Sequence, residues 1–424
     1  MTESFLQFIW KNKLFNAEVL NTSKGEKVEI LDVGEINSNA GPDFINVKIR
    51  IDKTIWAGCA EVHIRASDWH KHNHSKDKAY NNVVVHVVEE VDKEIIRENG
   101  EPICTIKLNY EERYLNAYLQ LYQNQLWVPC QKEITAVSSF VIRQWLSRLL
   151  TERLEQKSEY ILFTLRINKN SWEETFYQLL FRNFGLNVNA QPFEMLAKSI
   201  PLKILSKHKD NLLQVEALLF GQAGFLSDNE INDDYYLHLK KEYEFLKKKY
   251  NLNAIDKHIW KFLRLRPVNF PTIRISQLAC LVHKSSSLFS KLLECNKYEE
   301  YFDLLNIQAS EYWQTHYNFG KVSKPKDKRL GASTIDIILI NTVTPFLFIY
   351  GKQRNMEQYA DKSLQLLENI KPEDNSIIRN WAVAGVEAEN AFYSQALIQL
   401  RNEYCKFRRC LDCQIGNSLI IKGS

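Results

Sequence analysis

From residue 44 to residue 51 the chain alternates: Ile45, Val47, Ile49 and Ile51 fall on one side, with Asn46, Lys48 and Arg50 on the other. That period of two predicts a half-buried strand. Asp52-Lys53 supplies a tight turn, and residues 55–64 read as the returning strand. Upstream, residues 3–14 space their apolar positions as a helix does, and Val28-Glu-Ile-Leu-Asp32 makes a strand ended by Val33-Gly34. Downstream, Ser67 is placed to cap a short helix, residues 82–89 form a nearly continuous apolar strand, and residues 103–108 add a last one. After residue 110 the period changes to three and four. Helices are expected at 111–126, 137–160, 171–184, 211–224, 233–250, 273–295, 333–349, 356–370 and 376–408. Arg266-Pro267 and Phe270-Pro271 mark residues 250–272 as a loop. The expected class is α+β: a small αβββαβ domain over residues 1–110, followed by a large all-α domain over residues 111–424.

Composition narrows the setting. The 424 residues are 45% hydrophobic and 25% charged, an ordinary globular balance with length for two or three domains. The first ten residues hold Glu3 and no basic stretch before their apolar positions, so they do not read as a secretory signal. The most apolar later run, 337–350, is too short to span a bilayer and carries Asn341 and Pro345. A soluble cytoplasmic protein without a membrane partner is expected, of a size and charge that leave its oligomeric state open. Eight cysteines without a signal point to thiols or metal ligands rather than a disulfide framework. The net charge of +4 leans weakly toward anionic partners such as DNA or RNA.

Chemistry concentrates in one place. Five of the ten histidines, His63, His70, His72, His74 and His86, fall within 24 residues, just after Gly41-Pro42-Asp43-Phe44. An acid at the start of the second strand and the triplet Glu61-Val62-His63 in the third, within the order αβββαβ, resemble the PD-(D/E)xK nuclease superfamily. That resemblance implies a restriction-endonuclease-like fold and an active site. Asp43 and Glu61 would hold Mg²⁺ or Mn²⁺, with His63 standing where lysine is usual. Residues two apart on a strand share a face, so His63 is placed to orient a water or carry a proton. His86 interrupts Val83-Val-Val-His-Val-Val and needs a partner for its ring nitrogens. His74, Asp77 and His86 are supporting or alternative ligands, for Zn²⁺ or Mn²⁺. The bland alternative makes Asp43 a turn residue and Glu61, His63 and Arg65 the wet face of a strand.

Two further constellations lie in the helical part. Cys405, Cys410 and Cys413 are spaced C-x4-C-x2-C, and Cys130 after Pro129 is a natural fourth ligand for a structural Zn²⁺ or iron–sulfur site. The alternative is a reduced cluster at a helix end. Between residues 260 and 274, Lys261, Arg264, Arg266 and Arg274 interleave with Trp260, Phe262 and Phe270, a composition suited to nucleic-acid binding or to a core with arginine-capped helices.

Over its whole length the chain looks like the uncharacterised bacterial family catalogued as domain of unknown function 2851. The strings that carry this are Gly41-Pro-Asp-Phe44, Glu61-Val-His63, Ser67-Asp-Trp69, His86-Val-Val88, Glu216-Ala-Leu-Leu-Phe-Gly-Gln-Ala-Gly224, Arg264-Leu-Arg-Pro-Val-Asn-Phe-Pro271 and Cys410-Leu-Asp-Cys-Gln-Ile-Gly416. Membership implies no activity. Three functions stay open: a metal-dependent nuclease using Asp43, Glu61 and His63; a metallohydrolase of another class in which at least three of His63, His70, His72, His74, His86 and Asp77 converge; or an inactive nucleic-acid or protein binding module.

Overall fold

The computed structural model describes residues 2–22, 25–285 and 287–423. The alternating segments form one mixed sheet: β1 (Val28–Asp32), β2 (Glu35–Ile36), β3 (Phe44–Ile51), β4 (Thr54–Arg65), β5 (Val83–Glu90) and β6 (Thr105–Lys107). The spatial order is β1-β3-β4-β5-β6, with the short β2, which the pattern did not reveal, also on β3. β1, β3 and β4 run antiparallel, whereas β4, β5 and β6 are parallel. A parallel step needs a crossover. Here it is made by α2 (Asp68–Lys71) and two single-turn segments, His74–Lys76 and Lys78–Tyr80. The amphipathic α1 (Glu3–Lys11), capped by Thr2, buries Phe5, Leu6, Phe8, Ile9 and Trp10 and packs against β4. Because β5 is covered on both faces, all six residues from Val83 to Val88 are buried, which accounts for its continuous apolar run.

The strand alternation holds with one correction. Ile45, expected inside, is 36% exposed, and Phe44 is buried instead. The cause is a bulge: the β3–β4 register steps between Phe44↔Ala60 and Val47↔Gly58, and Asn46 sits in the left-handed region at φ 61°. Gly34 is required beside it, since a Cβ there would lie 2.2 Å from the Ile45 carbonyl oxygen. The extra residue carries the Phe44↔Ala60 register one step further, setting Asp43 level with Glu61. Bulges commonly re-aim a side chain in this way.

The rest is mostly helical, including α3 (Glu112–Gln123), α4 (Ser139–Ile167) and α5 (Trp172–Phe184). The expected 273–295 helix is two, Pro271–Lys284 and Leu288–Glu294, and the expected 376–408 helix is interrupted after Val383 and ends in a π turn, Leu400–Cys405. Pro192 hid the helix Leu186–Ser199, and a two-stranded ribbon at His316–Asn318 and Lys321–Val322 interrupts the helical part. The apolar run near 337–350 belongs to a longer helix, Ala332–Arg354. Its 23 residues would be long enough to span a bilayer, but 67% of its apolar window is buried inside the protein, as in a core helix.

By compactness the chain forms two units. One comprises residues 1–146, 380–386 and 399–424, and the other residues 147–379 and 387–398. The change of period at residue 110 separates sheet from helices along the chain, but α3 and the C-terminal residues cluster with the sheet.

Candidate metal centre

Glu61 and His63 project from one face of β4, and both are buried, at 5% and 2% exposure. They are therefore not the wet face of a strand. In the parallel ladder Glu61 stands in register with His86 of β5, itself fully buried. The crossover brings two more imidazoles over the same face. Asn73, left-handed at φ 62°, reverses the chain between His72 and His74, and asparagine is one of the few side chains that adopts this conformation readily.

The resulting cluster is tight. His63 Nε2 is 3.0 Å from His72 Nδ1, His74 Nε2 is 3.1 Å from Glu61 Oε1, and His63 Nε2 is 3.5 Å from that same oxygen. Ligand atoms bound at 2.0–2.1 Å to one ion stand about 2.9 to 3.4 Å apart, between right-angle and tetrahedral geometry. The observed separations match. Among the described residues, His63, His72 and His74 are the group of three or more potential ligands drawn close enough to hold a single ion. His74 Nε2 is buried yet makes no well-aligned hydrogen bond among the described residues, despite its closeness to Glu61. Two lone-pair carriers facing a common point, rather than each other, have this geometry.

Burial keeps His63 and its partner His86 uncharged. Burial, then the neighbouring His72 and His74, push the His63 pKa down to about 3, and burial beside His63 holds His86 well below the usual histidine range. Both are neutral at physiological pH. His63 Nδ1 lies 2.8 Å from His86 Nε2, so His86 fixes the ring's orientation and tautomer as an outer partner does behind a metal ligand. Trp69 packs edge-on against His74, and Tyr80 stacks on it at 3.8 Å between ring centroids. His72 is exposed at the mouth, whereas His63 and His74 are buried.

The two carboxylates clasp each other's backbone. Glu61 Oε2 accepts the Asp43 N–H and Asp43 Oδ2 accepts the Val62 N–H, both at 3.0 Å. Burial, followed by the Glu61 charge, raises the Asp43 pKa to about 6, partly offset by a hydrogen bond from Gln7. Glu3, on the same helix as Gln7, feels the charges of His72, Asp68, Glu61 and His74, and burial is the main reason its carboxyl is raised. Thus α1 covers the site with a carboxyl and an amide. A donor set of imidazole nitrogens and one carboxylate favours zinc, manganese or iron over Mg²⁺, which prefers oxygen.

Several expectations are corrected. Asp77 is exposed and its Oδ1 accepts the Ala79 N–H, so it caps a turn rather than facing the cluster. His70 is turned to the Ser75 hydroxyl, 2.8 Å away. Arg274 is 3% exposed and donates to Gln277, Asn269 and Thr334, which makes it part of the core network and removes it from any nucleic-acid surface. Lys261, Arg264 and Arg266 lie outside that network, and all three are exposed. Glu3, Gln7 and Tyr80 were missed as site residues, and His72 was weighed only among the six groups of the metallohydrolase reading. His72 had a signal in its i+2 spacing to His74, but nothing in the sequence places α1 over β4.

A family model described as "Protein of unknown function (DUF2851)" matches residues 3–376. The chain belongs to the DUF2851 family. No curated protein and no solved structure matches it. The DUF2851 match spans Asp43, Glu61 and every histidine of the cluster, and stops short of Cys405, Cys410 and Cys413.

Proposed function

We propose that the chain is a metal-dependent hydrolase whose ion is held by His63, His72, His74 and Glu61, acting on the phosphodiester bonds of DNA or RNA. The observation that carries the metal centre is the meeting of these side chains, with His63–His72, His74–Glu61 and His63–Glu61 separations of 3.0, 3.1 and 3.5 Å and the three imidazoles grouped closely enough for one ion. It favours histidine ligation over a site of Asp43 and Glu61 alone. The substrate class rests on the strand order, with an acid before β3 level with the Glu61-Val62-His63 triplet, and on the net charge of +4.

An ion at this place supplies Lewis acidity to a phosphate oxygen and to water. The protein's own groups divide the remaining work. His86 holds the His63 ring in one orientation through its 2.8 Å contact. Asp43, clasped at one oxygen by the Val62 amide, is the carboxylate placed to take a proton. Trp69 and Tyr80 fix His74 and keep water from its face.

The test joins metal analysis to activity. Protein purified without chelator should carry about one Zn, Mn or Fe per chain that His74→Ala protein lacks, and should cleave single- or double-stranded DNA or RNA when loaded. Glu61→Gln and His74→Ala should lose both properties. Absence of bound metal in wild type, after dialysis against each of these ions, removes the centre. Metal without cleavage of any nucleic acid removes the substrate class and leaves the centre standing.

A further inference from the structure

Four of the eight cysteines come together far from the histidines in sequence. Cys130, Cys405, Cys410 and Cys413 line one pocket with Pro129, Tyr404 and Gly416. All four are free thiols within one compact unit, although Cys130 is separated from the others by more than half the chain. Cys130, Cys410 and Cys413 are buried and Cys405 is half-buried, and the thiols lie within electrostatic reach of one another. We propose that these four thiols hold an iron–sulfur cluster.

Burial holds all four thiols above the usual cysteine range, so thiolates persist here only with a cation to share them, and particular neighbours then favour the bound form. The Cys413 sulfur faces the backbone N–H groups of Ile415 and Gly416 and the Trp145 indole, donors that stabilise negative charge on sulfur. Cys413 is also the N-cap residue of the helix Gln414–Lys422, whose first-turn amides favour an anion there. Arg401 and Arg408 add positive charge beside Cys405 and Cys410. The chain is shaped to bring Cys410 in: a Cβ on Gly416 would lie 2.3 Å from the Cys410 carbonyl oxygen, so glycine alone lets the helix start this close. Deprotonated, these four side chains, three of them buried, would cost stability as charged groups without a cation to share.

The choice of cluster over zinc follows from spacing. A tetrahedral Zn²⁺ with Zn–S bonds of 2.3 Å holds its sulfurs about 3.8 Å apart. Among the described residues the thiols are not a group drawn close enough for a single ion, whereas the histidines are. They instead surround a pocket, and a cluster that takes one thiolate on each iron fits ligands spaced more widely. The cluster would fasten residues 399–423 to the segment around Cys130. It is separate from the histidine centre in its ligands, and its fate does not depend on that reading.

The full chain, expressed and purified without oxygen, should contain iron and acid-labile sulfide in equal amounts and show broad visible absorption that bleaches with dithionite. Cys410→Ser and Cys130→Ser should each lose the acid-labile sulfide, its equivalent of iron and the colour, and Cys280→Ser and Cys59→Ser should keep them. Should the ligand variants not fold, wild type stripped of metal and incubated with Fe²⁺ and sulfide, or with Zn²⁺ alone, decides the matter. Recovery of colour and iron-dependent protection of residues 399–423 from trypsin supports the cluster. Zinc at one per chain without iron, a Cys410–Cys413 disulfide, or four freely titrating thiols in the anaerobic protein overturns it.

Discussion

Replacing Glu61 by glutamine keeps the shape of the side chain and removes its charge, which separates a metal ligand from a structural acceptor. In the wild type Oε2 accepts the Asp43 N–H at 3.0 Å, a bond that the amide oxygen of the introduced glutamine retains. The other oxygen, 3.1 Å from His74 Nε2, becomes an NH₂ group that cannot ligate. Loss of an outer partner of a metal costs 10- to 100-fold in affinity, so loss of a direct carboxylate ligand should cost at least about 100-fold. With free metal at 100 times the wild-type Kd, binding adds about 2.7 kcal/mol to wild-type stability but only about 0.4 kcal/mol to the variant. The difference of about 2.3 kcal/mol corresponds to roughly 5 to 9 °C in Tm for a unit of 150 to 250 residues. The metal-free variant behaves oppositely. Glu61 is 5% exposed and its charge is one cause of the raised Asp43 pKa, so removing it should leave the metal-free Tm unchanged or higher. Calorimetry of chelator-stripped protein with and without Zn²⁺ or Mn²⁺ reads both effects. A metal-induced shift in Glu61→Gln equal to that of wild type, or a metal-free variant several degrees less stable, would refute the ligand assignment.

Other perturbations probe the same geometry. Asp43 has a folded pKa of about 6 against an unfolded value near 3.9, so folding favours its protonated form. Its contribution is fully present below about pH 4 and is lost as pH rises through 6. Metal-free wild type should therefore weaken by up to about 3 kcal/mol between pH 4 and 7 relative to Asp43→Asn, measured by urea unfolding; parallel pH curves would count against it. His86→Leu stays close to the buried volume and removes the partner of His63, and should weaken metal binding by roughly 10- to 100-fold in a chelator competition while the fold survives. Asn73→Val forces a β-branched side chain to φ 62° and should cost at least about 1–2 kcal/mol and weaken metal binding, whereas Asn73→Gly should do neither. Arg274→Leu should lower stability by about 1–3 kcal/mol by leaving Gln277 and Asn269 without their donor, with no loss of nucleic-acid binding in a filter assay.

The elements of the sheet were readable because period two and the turn at Asp52-Lys53 are local signals. Besides the unread β2, the misplaced residue was Ile45; the error arose from a bulge that no local pattern reports, and that bulge sets Asp43 beside Glu61. The site was legible in proportion to its locality. Glu61 and His63 share a face by strand geometry, and His72 and His74 share a crossover, so both pairs stand close in sequence. What no pattern carries is the distance between the pairs, fixed by the β4–β5 register and by the left-handed Asn73. Residue density also misled. His70 and Asp77 lie inside the same run and turn elsewhere, because a four-residue helix and two single turns direct adjacent side chains to different sides. Arg274 shows the same limit in the helical part, where a basic residue among aromatic ones is read equally well as surface or core until its neighbours are known. The cysteines mark the opposite case: Cys130 and Cys413 are nearly three hundred residues apart, yet thiols have so few stable buried uses that their spacing alone pointed to one another. Side-chain chemistry that demands a partner thus reaches further along a chain than hydrophobic pattern does, and histidine, content as core, solvent-facing base or ligand, reaches less far than cysteine.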